Sequence, residues 1–160
     1  MRTVRLVFVG GILLWFLGAC QQTLPHRLSI FGARPDFLLI LATTLSLLTS
    51  RAGGGIVGFF SGLAHGAIAG ANLTHYVISR ALSSFAVSWV RALSSEPSAL
   101  GVALYALFHT LAAQLLLMFL IAPQNLAQFL GDTMGTALYN GVLAIPLYAL
   151  LKRVVGKRER

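Results

Sequence analysis

The chain has 160 residues, of which 57% are apolar and 10% charged, and its formal net charge is +8. With a mean hydropathy of +0.81, this balance excludes an ordinary soluble domain, and the length holds about six spanning helices of roughly 20 residues with little left for a catalytic insert. The positive charge sits at the ends of apolar segments, where basic residues set topology and meet anionic lipid, so it does not argue for nucleic acid; the single cysteine, Cys20, excludes an internal disulfide and a cysteine-based metal cluster.

In chain order, the first apolar run covers residues 4–20 and follows Arg2 and Arg5. It reads as a spanning helix or as a cleaved export signal, since Leu17-Gly18-Ala19-Cys20 resembles a bacterial lipoprotein cleavage site whose cysteine becomes lipidated. The retained helix is the reading adopted, because it keeps the charge distribution below consistent. Residues 21–35 form the one long polar interval, with Pro25, His26, Arg27, Gly32, Arg34 and Pro35 around Leu28, Ile30 and Phe31, and are expected at a membrane surface. A second, short helix is expected over 36–50, opened by Pro35 and Asp36, whose carboxylate suits the positive end of a helix dipole.

The third helix, expected over 53–71, carries Gly54, Gly58, Gly62, Gly66 and Gly70 at every fourth position. This spacing gives one flat face that lets another backbone approach closely, so these glycines are the candidate packing or partner interface, and the helix is read as the central one of a bundle. Each glycine would cost roughly 0.8–1 kcal/mol against alanine in a helix in water, but in lipid the peptide groups have no water to turn to. Further helices are expected over 73–93, 99–122 and 128–151, with Glu96 and Pro97 breaking the first two apart and Pro123 closing the second. The expectation is an all-α, polytopic bundle of about six transmembrane helices in a single integral membrane domain, residues 1–160. With the N-terminus inside, nine of the twelve Lys and Arg residues fall on the inner side (Arg2, Arg5, Arg51, Arg91 and the tail cations Lys152, Arg153, Lys157, Arg158 and Arg160) against Arg27 and Arg34 outside. That asymmetry puts both termini in the cytoplasm.

Polar residues within the spans carry what chemistry exists. Asn72, Tyr76, Arg80, Ser84 and Ser88 repeat at i+4 on the fourth helix, as do Asp132, Thr136 and Asn140 on the sixth. Arg80 at membrane depth needs a partner, and Asp132 is the expected one. His65, Arg80, His109, Asp132 and Asn140 form the expected intramembrane polar network. His65, His75, His109 and Asp132 have no metal-ligand spacing, and Ser61 four residues before His65 lacks a base arranged for attack, so neither a metal, a cofactor nor an enzyme activity is expected.

Three phrases together resemble the bacterial rod shape-determining protein MreD family: Arg34-Pro35-Asp36-Phe37-Leu38-Leu39-Ile40, then Gly58-Phe59-Phe60-Ser61-Gly62-Leu63 with Gly70, then Leu138-Tyr139-Asn140-Gly141-Val142-Leu143 with Pro146 and the basic Lys152-Arg153. Their order and spacing between Arg34 and Arg153 carry the resemblance, and Pro35, Asp36, Asn140 and Pro146 are its motif residues. Where that family commonly has an acidic residue in the third helix, this chain has Gly66, beside His65. The resemblance implies a non-enzymatic scaffold of the cell-elongation machinery in the bacterial inner membrane. It would act with an MreC-like membrane-anchored coiled-coil protein and with the MreB and RodA elongation complex in lateral peptidoglycan synthesis. Anionic lipid and a second copy of the chain are further candidate partners. The alternative is transport, because substrate-binding subunits of energy-coupling-factor vitamin or metal transporters are also small, roughly six-helix proteins. The polar network would then line a substrate pocket, although the first helix lacks the paired alanines by which such subunits dock.

Overall fold

In the computed structural model, which describes residues 2–30, 32–70 and 72–155, the chain is all-helical. Six helices follow one another: α1 (Arg2–Arg27), α2 (Phe37–Leu48), α3 (Arg51–Ala69), α4 (Leu73–Leu93), α5 (Ala99–Leu120) and α6 (Leu126–Val155). Four of them, α1, α3, α5 and α6, are long and apolar enough to cross a membrane. The tail cations Lys157, Arg158 and Arg160 and the side chain of Arg2 lie outside the described residues.

The centre of the bundle is α2, not the glycine-striped helix. Every residue from Leu38 to Leu48 is buried, and α2 touches all the other helices. Its sequence explains this position, because FLLILATTLSLL is apolar on every face and has no polar side to turn outward. At 12 residues it is about 18 Å long, well short of a hydrocarbon core of roughly 30 Å. It starts inside the protein, at buried Asp36, and ends just before exposed Ser50 and Arg51. By contrast, α3 turns Ile56, Phe59 and Phe60 outward and occupies the flank.

The glycines of α3 make the tightest seam in the structure, against α4. A Cβ on Gly62 would lie 2.7 Å from the Tyr76 carbonyl oxygen and from Val77 Cα; one on Gly58 would collide with the Arg80 carbonyl and one on Gly54 with Ser88. The helices are antiparallel, so the four-residue glycine step meets a four-residue step of α4 carbonyls and serines. Gly70 stands apart from that stripe. It is the left-handed C-cap of α3, with φ of 59° and its N–H donating to the Gly66 carbonyl, and it packs against nothing. Its role is to end the helix at a conformation costly for any residue with a Cβ.

The first helix also runs beyond its expected end at Cys20, to Arg27, so the polar interval is partly helical. Gln21, expected in a surface segment, instead points inward to the start of α2. An isolated pairing of Ile30 with Ala33 follows, around Gly32 at φ of 86°. At the opposite end of the bundle, Arg5 donates to the Val154 carbonyl and Lys152 pairs with Glu96. The start of α1, the α4–α5 connection and the end of α6 thus share one basic end.

Candidate functional site

A helix that begins inside the protein exposes backbone N–H groups where water cannot reach them, and each must find a partner. At α2 the partners come from distant parts of the chain. The Asp36 N–H donates to Asn140 Oδ1 of α6 at 2.9 Å, the Phe37 N–H to Gln21 Oε1 of α1 at 2.8 Å, and the Leu39 N–H to the Asp36 side chain at 2.9 Å. Asp36 is thus the N-cap of α2, as its position after Pro35 predicts. It is also far more than a cap.

Its carboxylate is 5% exposed and pairs with the guanidinium of Arg80, which is 3% exposed. Arg80 reaches it because the glycine seam brings the α4 backbone close enough for the side chain to pass beneath α3. On the way its Nη1 donates to Ser61 Oγ at 3.1 Å and its Nη2 contacts His65 Nδ1 at 2.8 Å. Since guanidinium only donates, His65 accepts there through an unprotonated Nδ1. Its ring stacks on Tyr76 with centroids 4.9 Å apart. Ser61 passes its own proton to the Leu38 carbonyl at 3.0 Å. The hydroxyl is held between a cation and a backbone oxygen, with no base accepting from it.

The expected pairing of Arg80 with Asp132 is therefore corrected: the partner is Asp36. The two helices explain the difference. Arg80 points inward beneath α3, while Asp132 sits on the outer face of α6, exposed and beside Gly32. Of the expected network, His65 and Arg80 come together around Asp36, Asn140 joins through the Asp36 N–H, and Asp132 lies apart. His109 belongs to a neighbouring cluster in which its Nδ1 is 2.7 Å from Thr43 Oγ1 and its Nε2 is 3.1 Å from Ser83 Oγ and from Ser84 Oγ.

The tautomer of His109 follows from its neighbours. Thr43 donates its hydroxyl proton to the Leu39 carbonyl at 2.9 Å, so it accepts from the ring, and Nδ1 carries the proton. Nε2 is then the acceptor for the Ser84 hydroxyl, while Ser83 donates to the Arg80 carbonyl at 3.3 Å. The clusters are continuous with α6, since Asn140 Nδ2 donates to Thr110 Oγ1 at 3.0 Å and Thr110 donates on to the Ala106 carbonyl. Pro146, the remaining motif residue, lies within α6 on an exposed face, and Pro35 is buried beside Asp36.

Among the described residues, no group of three His, Cys, Asp or Glu side chains converges as metal ligands would. The space beside Arg80 is about 10 Å³, at the lower limit for a single water. Sequence reasoning missed Ser61, Gln21 and Thr43 as members of this network, and took Asp36 for a helix-opening carboxylate and a motif residue but not for the partner of Arg80. The signal for Asp36 was present: a carboxylate opening a helix too short to reach both membrane surfaces and apolar along its whole length.

Comparison of the chain with protein-family models, with curated proteins and with solved structures returns no match.

Proposed function

We propose that the chain is a non-enzymatic scaffold of the bacterial cell-elongation machinery, set in the inner membrane with six crossings and both termini in the cytoplasm. In this reading it binds an MreC-like membrane-anchored coiled-coil protein and supports lateral peptidoglycan synthesis by the MreB and RodA complex. One observation carries the reading. The first and last phrases of the MreD resemblance, 104 positions apart, meet in the hydrogen bond between the Asp36 N–H and Asn140 Oδ1. Motif residues that anchor the central helix suit a protein whose output is its shape. The basic end formed by Arg5, Arg51, Lys152 and Arg153 supports the cytoplasmic orientation of the termini.

The transport alternative asks for a ligand-sized space among the polar residues. Here those residues spend their donors and acceptors on one another, and the adjoining space is about 10 Å³, which favours the scaffold. The test is gentle detergent extraction of the tagged chain from its native host, followed by identification of stoichiometric co-purifying proteins. Recovery of an MreC-like protein is the expected result. Recovery of ATPase subunits with a membrane coupling subunit would overturn it in favour of transport.

A further inference from the structure

The outer face of α6 carries a carboxylate that the buried network does not use. Asp132 is exposed, and among the described residues it forms no ion pair. It borders an open cleft of about 580 Å³ between α6 and the Ile30–Ala33 turn, with Leu138 and Val142 further along. Ala33 rests on Gly135, where a Cβ would lie 2.6 Å from the Ala33 Cβ, while a Cβ on Gly131 would meet nothing within 4 Å. The turn thus forms one wall, and the floor beside Asp132 is open. Leu138 and Val142 are 56% and 68% exposed.

Asp132 lies six residues after Leu126, hence about 9 Å along a helix of 30 residues that is about 45 Å long, which puts it near the non-cytoplasmic edge of a hydrocarbon core of roughly 30 Å. Among the described residues lining the cleft Asp132 is the only charged one, so a helix that covers it dehydrates an unpaired carboxylate unless it brings a cation. We propose that this cleft is the docking site for one transmembrane helix of the partner, bearing a Lys or Arg near its non-cytoplasmic end opposite Asp132. The assignment rests on the scaffold reading above and deepens it by naming the surface and the complementary charge.

Charge selects this occupant over two others. A second copy docked through the same cleft offers the same lining, with Asp132 again its only charged described residue, and so brings it no cation. Within the cleft lining an anionic lipid headgroup likewise meets a carboxylate and, among the described residues, no cation. A partner cation at this end is also discriminating, because basic residues flanking a span ordinarily gather at its cytoplasmic end.

The experiment places a photocrosslinking amino acid at Leu138, or at Leu82 on the exposed face of α4 as a control, in the full chain co-expressed with the MreC-like protein of the same genome. The expected result is a covalent adduct between the Leu138 probe and the partner's span, with none from Leu82. Asp132→Lys should lower that adduct roughly tenfold, Asp132→Asn less, and reversing the partner's cation to Asp should restore it in the Lys variant. Because Asp132 is exposed, both variants should elute as the parent does. Adducts with phospholipid or with a second copy alone, equal labelling from Leu82, or indifference to Asp132→Lys would each overturn the inference. If the partner still co-purifies in those cases, the scaffold reading stands without this surface. If it never co-purifies, both fall.

Discussion

Neutralising Asp36 and Arg80 singly and together tests the central claim about this fold. Asp36→Asn keeps a side-chain oxygen for the Leu39 N–H and so preserves the cap of α2. What it removes is the counter-charge of a guanidinium that is 3% exposed. Leaving one charge of a buried pair uncompensated costs about 3–5 kcal/mol, and Arg80→Gln should cost a similar amount by stranding the carboxylate. The double variant strands neither charge. Its cost is reduced to the neutral hydrogen bonds that glutamine cannot remake toward Ser61 and His65, about 1 kcal/mol each. Independent sites would give a summed loss of about 6–10 kcal/mol, so most of that sum should vanish in the double variant. Reversible unfolding in mixed micelles of rising SDS fraction measures all four proteins. Asp132→Asn serves as the control and should stay within about 0.5 kcal/mol of the parent, since its carboxylate is exposed. Additive losses in the double variant, or an unchanged Asp36→Asn protein, would refute the pairing.

The same unfolding assay reads three further expectations. Gly62→Ala should lose about 1–3 kcal/mol, because its Cβ would lie 2.7 Å from α4 backbone that cannot move alone, whereas Gly55→Ala, whose Cβ meets Phe85 at 3.7 Å, should be tolerated. Asn140→Leu should cost about 1–3 kcal/mol by orphaning the buried Asp36 N–H, and a neutral result would remove Asn140 from the role argued for it. Nitrogen-15 NMR of the detergent-solubilised chain should show His109 as a neutral ring protonated on Nδ1; protonation on Nε2 would contradict the direction of the Thr43 hydrogen bond.

Periodicity in the sequence was informative wherever a helix face had one job. The glycines at 54, 58 and 62 mark a close-packing face because a Cβ there would lie under 3.0 Å from α4, with Gly66 in a looser contact at 3.1 Å from Leu73, and all four pack within the chain. The i+4 stripe on α4 turns Arg80, Ser84 and Ser88 into the interior, as polar groups in an apolar environment must. Gly70 shared the spacing but not the job, since a glycine at a helix end is chosen for its backbone. Spacing alone does not distinguish the two uses.

What was not legible is which residues from different helices share a depth. The sequence points to Asp132 as the partner of Arg80 because both lie in apolar helices, whereas Asp36 follows a proline and a polar stretch that reads as surface. The structure reverses this, since α2 begins below the ends of its neighbours and carries Asp36 inward with it. Two sequence properties of α2 imply that recession, its shortness and its apolarity on all sides. A helix with both cannot reach both surfaces, and since its end is followed by exposed Ser50 and Arg51, it is the Asp36 end that is recessed.

The two carboxylates therefore have separable consequences. Asp36 is buried against Arg80 and His65, so its loss acts on the fold first and on any partner only through the fold. Asp132 is exposed on a cleft, so its loss should spare the fold and act on whatever fills that cleft. A pair of variants such as Asp36→Asn and Asp132→Lys divides the two roles. If both reduced partner recovery in proportion to lost stability, recognition would lie in the integrity of the bundle as a whole; loss of partner from a fully stable Asp132→Lys protein would locate it on α6.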